Sequence, residues 1–367
     1  MKFACYTLGC KVNQYETQAM EQLLVQSGHT LGSFDEICDG YIINTCTVTA
    51  VSDKKSRNAI RRVRKLNPQA VVGVCGCYAQ SSPDEIRKLD VDVLIGTDGR
   101  EAFVRHMIDA AQTRQKWDCV DDAGGPRAFE ILPAGGLAAR TRALLKVEDG
   151  CNNFCTYCII PKLRGPYRSV PMEELIAEAK TMAEQGVKEL VLVAQETTIY
   201  GIDLYGKPSL HLLLKELCKI QELYWIRILY CYLEDIYPEL VQTMKEEPKV
   251  CHYLDLPIQH ANDEILRRMG RRTSKQELID KIDFLRSEMP DITLRTTLIT
   301  GFPGETKEQH KELLEFINDM EFDRLGVFTY SPEEGTPAAA MEHQIDEEVK
   351  LDRQAELMEL QQDISAE

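Results

Sequence analysis

The chain has 367 residues, 44% hydrophobic and 28% charged, with a net charge of −16; this suits a globular protein long enough for two cores and argues against a broadly basic nucleic-acid surface. No apolar run reaches the length of a membrane span, and the Met1–Tyr6 start lacks the apolar stretch and cleavage site of a signal peptide, so a cytoplasmic protein away from membranes is expected. Thirteen cysteines are an odd number that cannot all pair within the chain, and in a reducing compartment they point to thiolate ligation of metal.

The first part alternates short β-rich runs with helical stretches. Lys2–Tyr6, Tyr41–Asn44, Val71–Val74 and Val93–Ile95 read as buried parallel strands. Helices are expected near Gln14–Gln26, Asp53–Leu66 and Arg100–Arg114, with Asn13 and Ser52 as N-caps of the first two. Arg57, Arg61, Arg62, Arg64 and Lys65 cluster on the second helix; a solvated face explains them at least as well as an RNA footprint. The stretches Asp121–Pro126 and Pro133–Gly136 read as linker, placing a boundary near 135. The second part repeats the alternation, with strands at Leu144–Val147, Glu189–Val193, Ile226–Leu229, Tyr253–Leu256, Thr293–Ile299 and Leu325–Thr329. Helices Met172–Gln185, Ser274–Glu288 and Lys307–Met320 lie among them. The fold class is therefore α/β: an open parallel-sheet domain over 1–135, a partial barrel of six βα units over 136–345, and a charged amphipathic helix, Glu347–Ile364, within 346–367.

Cys151, Cys155 and Cys158 carry the strongest chemical signal, Cys-x3-Cys-x2-Cys. They lie on a loop between a strand and a helix, where three thiolates can wrap one cluster. Three ligands on a four-iron cluster leave one iron open to a chelating substrate. A closed zinc site would need a fourth ligand, and no second Cys-x-x-Cys or His pair lies nearby in the sequence. The spacing, with the aromatic Tyr157 before the third cysteine, resembles the signature of the radical S-adenosylmethionine superfamily. That resemblance implies a [4Fe-4S] cluster whose open iron binds S-adenosylmethionine, and an external one-electron reductant.

Three further cysteines share one context. Cys10, Cys46 and Cys77 each sit just past the C-terminal end of an expected parallel strand. Those ends lie on one edge of an open sheet, where α/β proteins hold ligands, so cysteines far apart in sequence are expected to meet. Gly9 and Gly76 allow the backbone to turn closely there. Three unrelated buried cysteines fit the spacing equally well. Cys75 falls inside its strand and faces the core; Cys5, Cys38, Cys119, Cys218, Cys231 and Cys251 lack the context and read as structural.

Two such three-cysteine sets, with Thr7–Asn13, Asn44–Val48, Gly301–Thr306 and Tyr330–Pro337, resemble the methylthiotransferase family over nearly the whole chain. The resemblance implies that Cys10, Cys46 and Cys77 hold an auxiliary [4Fe-4S] cluster that delivers sulfur. It also implies that one S-adenosylmethionine supplies the methyl group and another the radical. Ala194–Gly201, Leu229–Tyr232, Tyr253–His260 and Phe322–Phe328 are similar to members that modify an aspartate of a ribosomal small-subunit protein. Cys10–Thr17, Thr47–Thr49 and Asp53–Arg57 are similar to members acting on threonylcarbamoyl-adenosine in transfer RNA. The barrel must present the target to the radical, so the ribosomal protein is the expected substrate and transfer RNA the alternative. An iron–sulfur electron carrier would not need so large a barrel. The chain departs from the family pattern at Glu196, where aspartate is usual in those that modify the ribosomal protein, and at Val170, where arginine is usual. It stops where the family's RNA-binding β-barrel would start, and that domain is expected to be absent.

Gln195 and Glu196 follow the strand after the cluster loop and are expected to reach the methionine end of S-adenosylmethionine, unless they are ordinary loop polarity. Arg295 and Thr297 project from one strand by period two; Arg295 suits either a ligand carboxylate or an interior ion pair. Gly301 and Gly304 read as a turn that permits close backbone approach to the cofactor.

Overall fold

The structure is a computed structural model that describes residues 1–47, 50–121, 129–133 and 141–366. The chain divides into two compact units, one of residues 1–151 and 159–188, the other of residues 152–158 and 189–367. The linker stretches 121–126 and 133–136, apart from Asp121 and Pro133, lie outside the described residues, as do the boundary near 135 and Val48 and Thr49 of the family motifs.

In the first unit, strands β1 (Lys2–Thr7), β2 (Thr30–Leu31), β3 (Gly40–Thr45), β4 (Val71–Gly76), β5 (Val93–Ile95) and β6 (Trp117–Cys119) form one sheet in the order β2-β1-β3-β4-β5-β6. Every pairing in it is parallel. The four expected strands are β1, β3, β4 and β5. They read as continuous apolar runs because helices cover both sheet faces. One face packs Ile43, Val72 and Val74 against Ile60 and Val63 of the helix Ala50–Leu66. The other packs Ile42, Val71 and Cys75 against Met20 and Leu24 of the helix Lys11–Gln26 and Phe103 and Met107 of the helix Arg100–Thr113. Cys75 is fully buried, as alternation requires. β2 is not legible because two residues are too few to display a period, and β6 because Asp118 interrupts it, whereas the equally short β5 is a continuous apolar run.

Neither expected cap is a cap. The first helix begins at Lys11 with Cys10 at the N-cap, so Asn13 is inside it and completely buried. The second begins at Ala50, which puts Ser52 inside that helix too. A cap side chain must sit on a residue outside the helical backbone, and Asn13 instead turns inward. The basic residues of the second helix are largely paired within the fold: Arg57 with Glu85, Arg62 with Asp35, and Arg64 with Asp92. That favours the solvated-face reading.

All six strands expected in the second part are present. β7 (Arg142–Lys146) belongs to the first unit, with the short antiparallel pair β8 (Glu148–Asp149) and β9 (Arg168–Ser169). In the second unit β10 (Glu189–Val193), β11 (Trp225–Ile228), β12 (Val250–Gln259), β13 (Thr293–Thr300) and β14 (Arg324–Thr329) lie side by side in sequence order, all parallel. Leu294, Thr296, Leu298 and Thr300 of β13 are buried and alternate with half-buried Arg295, Thr297 and Ile299, which is the expected period of two. The helix Lys275–Glu288 is capped by Ser274 and the helix Lys307–Met320 by Thr306, each through a reciprocal capping box. The helix Glu347–Ala366 closes the unit, and Arg353 on it reaches the Glu305 carbonyl and carboxylate at 3.1 and 3.0 Å. No helix among the described residues is long and apolar enough to cross a membrane.

Candidate iron–sulfur sites

Sheet order brings the first cysteine set together. β1, β3 and β4 are neighbours, with Thr7 opposite Asn44 and Thr45 opposite Gly76. Cys46 and Cys77 immediately follow β3 and β4, and Cys10 follows the short turn after β1. Gly9 has φ +100°, and a Cβ placed on it would come within 2.8 Å of the Cys46 Sγ. Gly76 has φ +97° and would press a side chain into the Thr45 carbonyl. Both turns therefore need glycine, for conformation and for room. Burial pushes the Cys77 thiol up to about 12, with the nearby Cys10 and Cys46 adding to the push and Arg164 opposing it. All thirteen cysteines are free thiols.

Asn13 holds the loops that carry two of these cysteines. Its Nδ2 donates to the carbonyls of Leu8 at 2.8 Å and Thr45 at 3.0 Å, and its Oδ1 accepts from Arg164 at 2.8 Å. Arg164 lies at the centre of a buried charge network. Glu16 accepts from Arg164 at 2.7 Å, Arg100 at 2.8 Å and Lys146 at 3.0 Å, while Asp149 accepts from Lys146 at 2.9 Å and Arg164 at 3.0 Å. Burial pushes the Glu16 carboxyl up, but the three cations outweigh it and hold it well below the carboxylate range. Sequence reading missed these roles. The one available signal was Asn13, Glu16 and Thr17 at helical spacing on a face that the apolar sheet buries.

The second set falls within residues 151–158. Cys151 begins it in the first unit, where its backbone N–H donates to the Gly165 carbonyl at 3.3 Å. Residues 152–158 belong to the second unit. There Thr156 anchors the loop: its N–H donates to the Met269 carbonyl and its carbonyl accepts from Ala338, both at 2.9 Å, and its hydroxyl donates to the Arg268 carbonyl at 2.8 Å. The Cys158 N–H donates to the Cys155 carbonyl at 2.9 Å, closing the turn between them. Cys155 is buried, and its Sγ lies 3.2 Å from the Tyr232 hydroxyl.

Glu196 does approach this loop. It is buried at the end of β10, accepts from the Thr198 N–H at 2.8 Å, and receives the Asn153 amide at 3.4 Å. Burial pushes its carboxyl up to about 8, with Asp235 adding to the push. Gln195 precedes it on the same turn. Arg295 pairs with Asp255 on the neighbouring strand and donates to Thr297 Oγ1 at 3.2 Å, so in this structure it makes the interior ion pair. Gly301 and Gly304 lie in a turn at φ +71° and +78°. The Gly301 and Phe302 N–H groups both donate to the Glu305 carboxylate, at 2.6 and 3.1 Å.

The donor chemistry of both cysteine sets fits iron–sulfur clusters, since thiolates are the soft ligands that such clusters select. Among the described residues no three Cys, His, Asp or Glu side chains are gathered as around a single metal ion. A four-iron cluster binds each thiolate through a different iron and does not require that convergence.

The Radical SAM superfamily profile matches residues 145–317, and that of Uncharacterized protein family UPF0004 matches residues 2–96. The ribosomal protein uS12 methylthiotransferase RimO of Lachnoclostridium phytofermentans is 47% identical over 375 residues, covering 100% of this chain and 84% of that protein. Its namesakes from Clostridium perfringens and Clostridioides difficile are 43% and 42% identical, each covering 100% of this chain and 83% of their own length. Among solved structures, the radical S-adenosylmethionine methyltransferase TsrM from Kitasatospora setae superposes with a TM-score of 0.62 at 14% identity, over 92% of this chain and 74% of that one. The cobalamin-dependent radical enzyme OxsB gives 0.61 at 14% identity, over 98% and 56%. At such identity these two similarities speak to the fold.

Proposed function

The chain belongs to the RimO family of radical S-adenosylmethionine methylthiotransferases, and on that premise we propose that it inserts a methylthio group into an aspartate of ribosomal protein uS12. The observation that carries the reading is the meeting of Cys10, Cys46 and Cys77 at the ends of three adjacent strands, in a chain that also has the Cys151–Cys158 loop. Sulfur insertion needs two thiolate-held sites: one to start the radical chemistry, the other to give sulfur. In this reading Cys151, Cys155 and Cys158 hold the first [4Fe-4S] cluster, and Cys10, Cys46 and Cys77 hold the second. When bound, the first supplies the electron that cleaves S-adenosylmethionine, and an external one-electron donor replenishes it. Residues 1–135 serve the auxiliary cluster and 136–345 the radical chemistry, with 346–367 as a closing helix. A ribosomal substrate places the enzyme in the cytoplasm.

Glu196 and Gln195 take the methionine end of the cofactor, with Arg295 and Thr297 on β13 and the Gly301–Gly304 turn at its border. The Glu196 carboxyl, raised to about 8, is mostly protonated at pH 7 and attracts a cation only weakly. The permanent positive charge of a sulfonium favours its ionised form. The ratio of wild-type to Glu196→Gln affinity for S-adenosylmethionine should therefore grow as pH is raised through 8, by equilibrium binding to anaerobically reconstituted protein. A ratio that stays constant from pH 6.5 to 9 removes Glu196 from the cofactor site.

The relatives match along the whole chain, the N-terminal half included, and this supports the ribosomal target over transfer RNA. Mass spectrometry of uS12 and of digested transfer RNA, from cells with and without the gene, tests the choice. The methylthio adduct should disappear from uS12 alone. Reconstituted protein should carry about eight irons, four per cluster, falling to about four when Cys10, Cys46 and Cys77 are replaced by alanine. An unchanged iron content in that variant rejects the second cluster.

A further inference from the structure

We infer that Tyr232 tunes the radical cluster: its hydroxyl donates a hydrogen bond to the Cys155 sulfur and raises the potential at which that cluster accepts an electron. The inference rests on the cluster assignment above. The Tyr232 hydroxyl lies 3.2 Å from Cys155 Sγ. In the free protein either atom can donate. Once the sulfur is an iron-bound thiolate it has no proton, so the phenol alone donates. Hydrogen bonds to cluster sulfurs are among the determinants of cluster potential, because they stabilise the more negative, reduced state.

The contact is built from elements that do not depend on Cys155. Tyr232 follows β11, and its N–H donates to Thr198 Oγ1 at 2.8 Å. Its ring lies under the Arg271 guanidinium, whose central carbon is 3.9 Å from the ring centroid. Arg271 is fixed in turn by a two-pronged pair with Glu234, 2.8 Å from both Nε and Nη2, and by the Pro257 carbonyl at 2.9 Å from Nη1. The aromatic ring is thus held on its face and at its backbone, and the hydroxyl is aimed at the sulfur. Glu234 neutralises the Arg271 charge at contact distance. The phenol hydroxyl is a polar group directly on the sulfur. Tyr232 acts through Cys155, so it is a positioning and tuning residue.

Tyr232→Phe keeps the ring and its stacking on Arg271 and removes only the oxygen. The full chain with Cys10, Cys46 and Cys77 replaced by alanine carries the radical cluster alone and isolates its signal. Tyr232→Phe in that background should bind the same iron and show a lower midpoint potential in an anaerobic titration followed by electron paramagnetic resonance. Deoxyadenosine formation should slow with a weak reductant and recover with a strong one. An unchanged potential at equal iron content overturns the inference while leaving the cluster assignment intact. Loss of the cluster from Tyr232→Phe alone also overturns it, because tuning does not require the bond for assembly. Absence of any cluster before Tyr232 is changed defeats the assignment itself, and the inference with it.

Discussion

Cys155→Ala is expected to abolish deoxyadenosine formation, whereas Cys46→Ala should leave it measurable and stop methylthiolation. The two cysteines occupy different sites. Cys155 is one of three thiols within residues 151–158, buried beside Tyr232. A cluster that must keep one iron open has no spare protein ligand, so removing one of three loses the electron source. Cys46 belongs to the other set and presses against Gly9 at the edge of the first sheet. Its loss disables only the sulfur-giving site. The checks are chromatographic assay of deoxyadenosine and mass analysis of uS12 after anaerobic reaction. If both variants keep cofactor cleavage and lose only sulfur insertion, the division of labour is wrong.

Glu16→Ala should destabilise the first unit by about 3–5 kcal/mol, the cost of breaking a buried ion pair by removing one partner. Glu16 is 1% exposed, and Arg100 and Arg164 beside it are equally buried. Without it, Arg100 loses its ion pair, Lys146 and Arg164 are left to Asp149, and the Arg164 that orients Asn13 loses its closest anion at 2.7 Å. Trp117 lies in this unit and the other tryptophan, Trp225, in the second. Fluorescence of Trp117 in a Trp225→Phe background therefore reports the urea midpoint of the first unit. The pH sign follows from the low folded pKa values of Glu16 and Asp149. Their stabilisation is present above the ordinary values of 4.5 and 3.8, and is lost as pH falls below those values toward the folded ones. Wild type should lose stability in that acid window more steeply than Glu16→Ala. An unfolding free energy within about 0.5 kcal/mol of wild type, the range of an ordinary surface change, would show that the network is not what holds the unit.

The amino-acid order alone specifies most of the strands, the alternation of sheet and helix, and the Cys151–Cys158 spacing. It also separated Cys75 from Cys77, because a period of two distinguishes a core-facing thiol from one past the strand end. These are local properties, written in neighbouring side chains, which is why the two-residue β2 and the β6 that Asp118 interrupts escaped. Strand order is not local. Nothing in the apolar runs says that β1, β3 and β4 are adjacent, yet that adjacency puts three scattered cysteines at the ends of neighbouring strands. Polar partnerships are hidden for the same reason. Asn13 resembles a helix cap in the sequence, and only folding reveals that its amide grips the loops before Cys10 and Cys46 while Arg164, 151 residues away, holds it in place. Tyr232 and Cys155 are separated by 77 residues and share no pattern. Burial in a common interior, where an unpaired polar group is costly, decided which of these side chains had to meet.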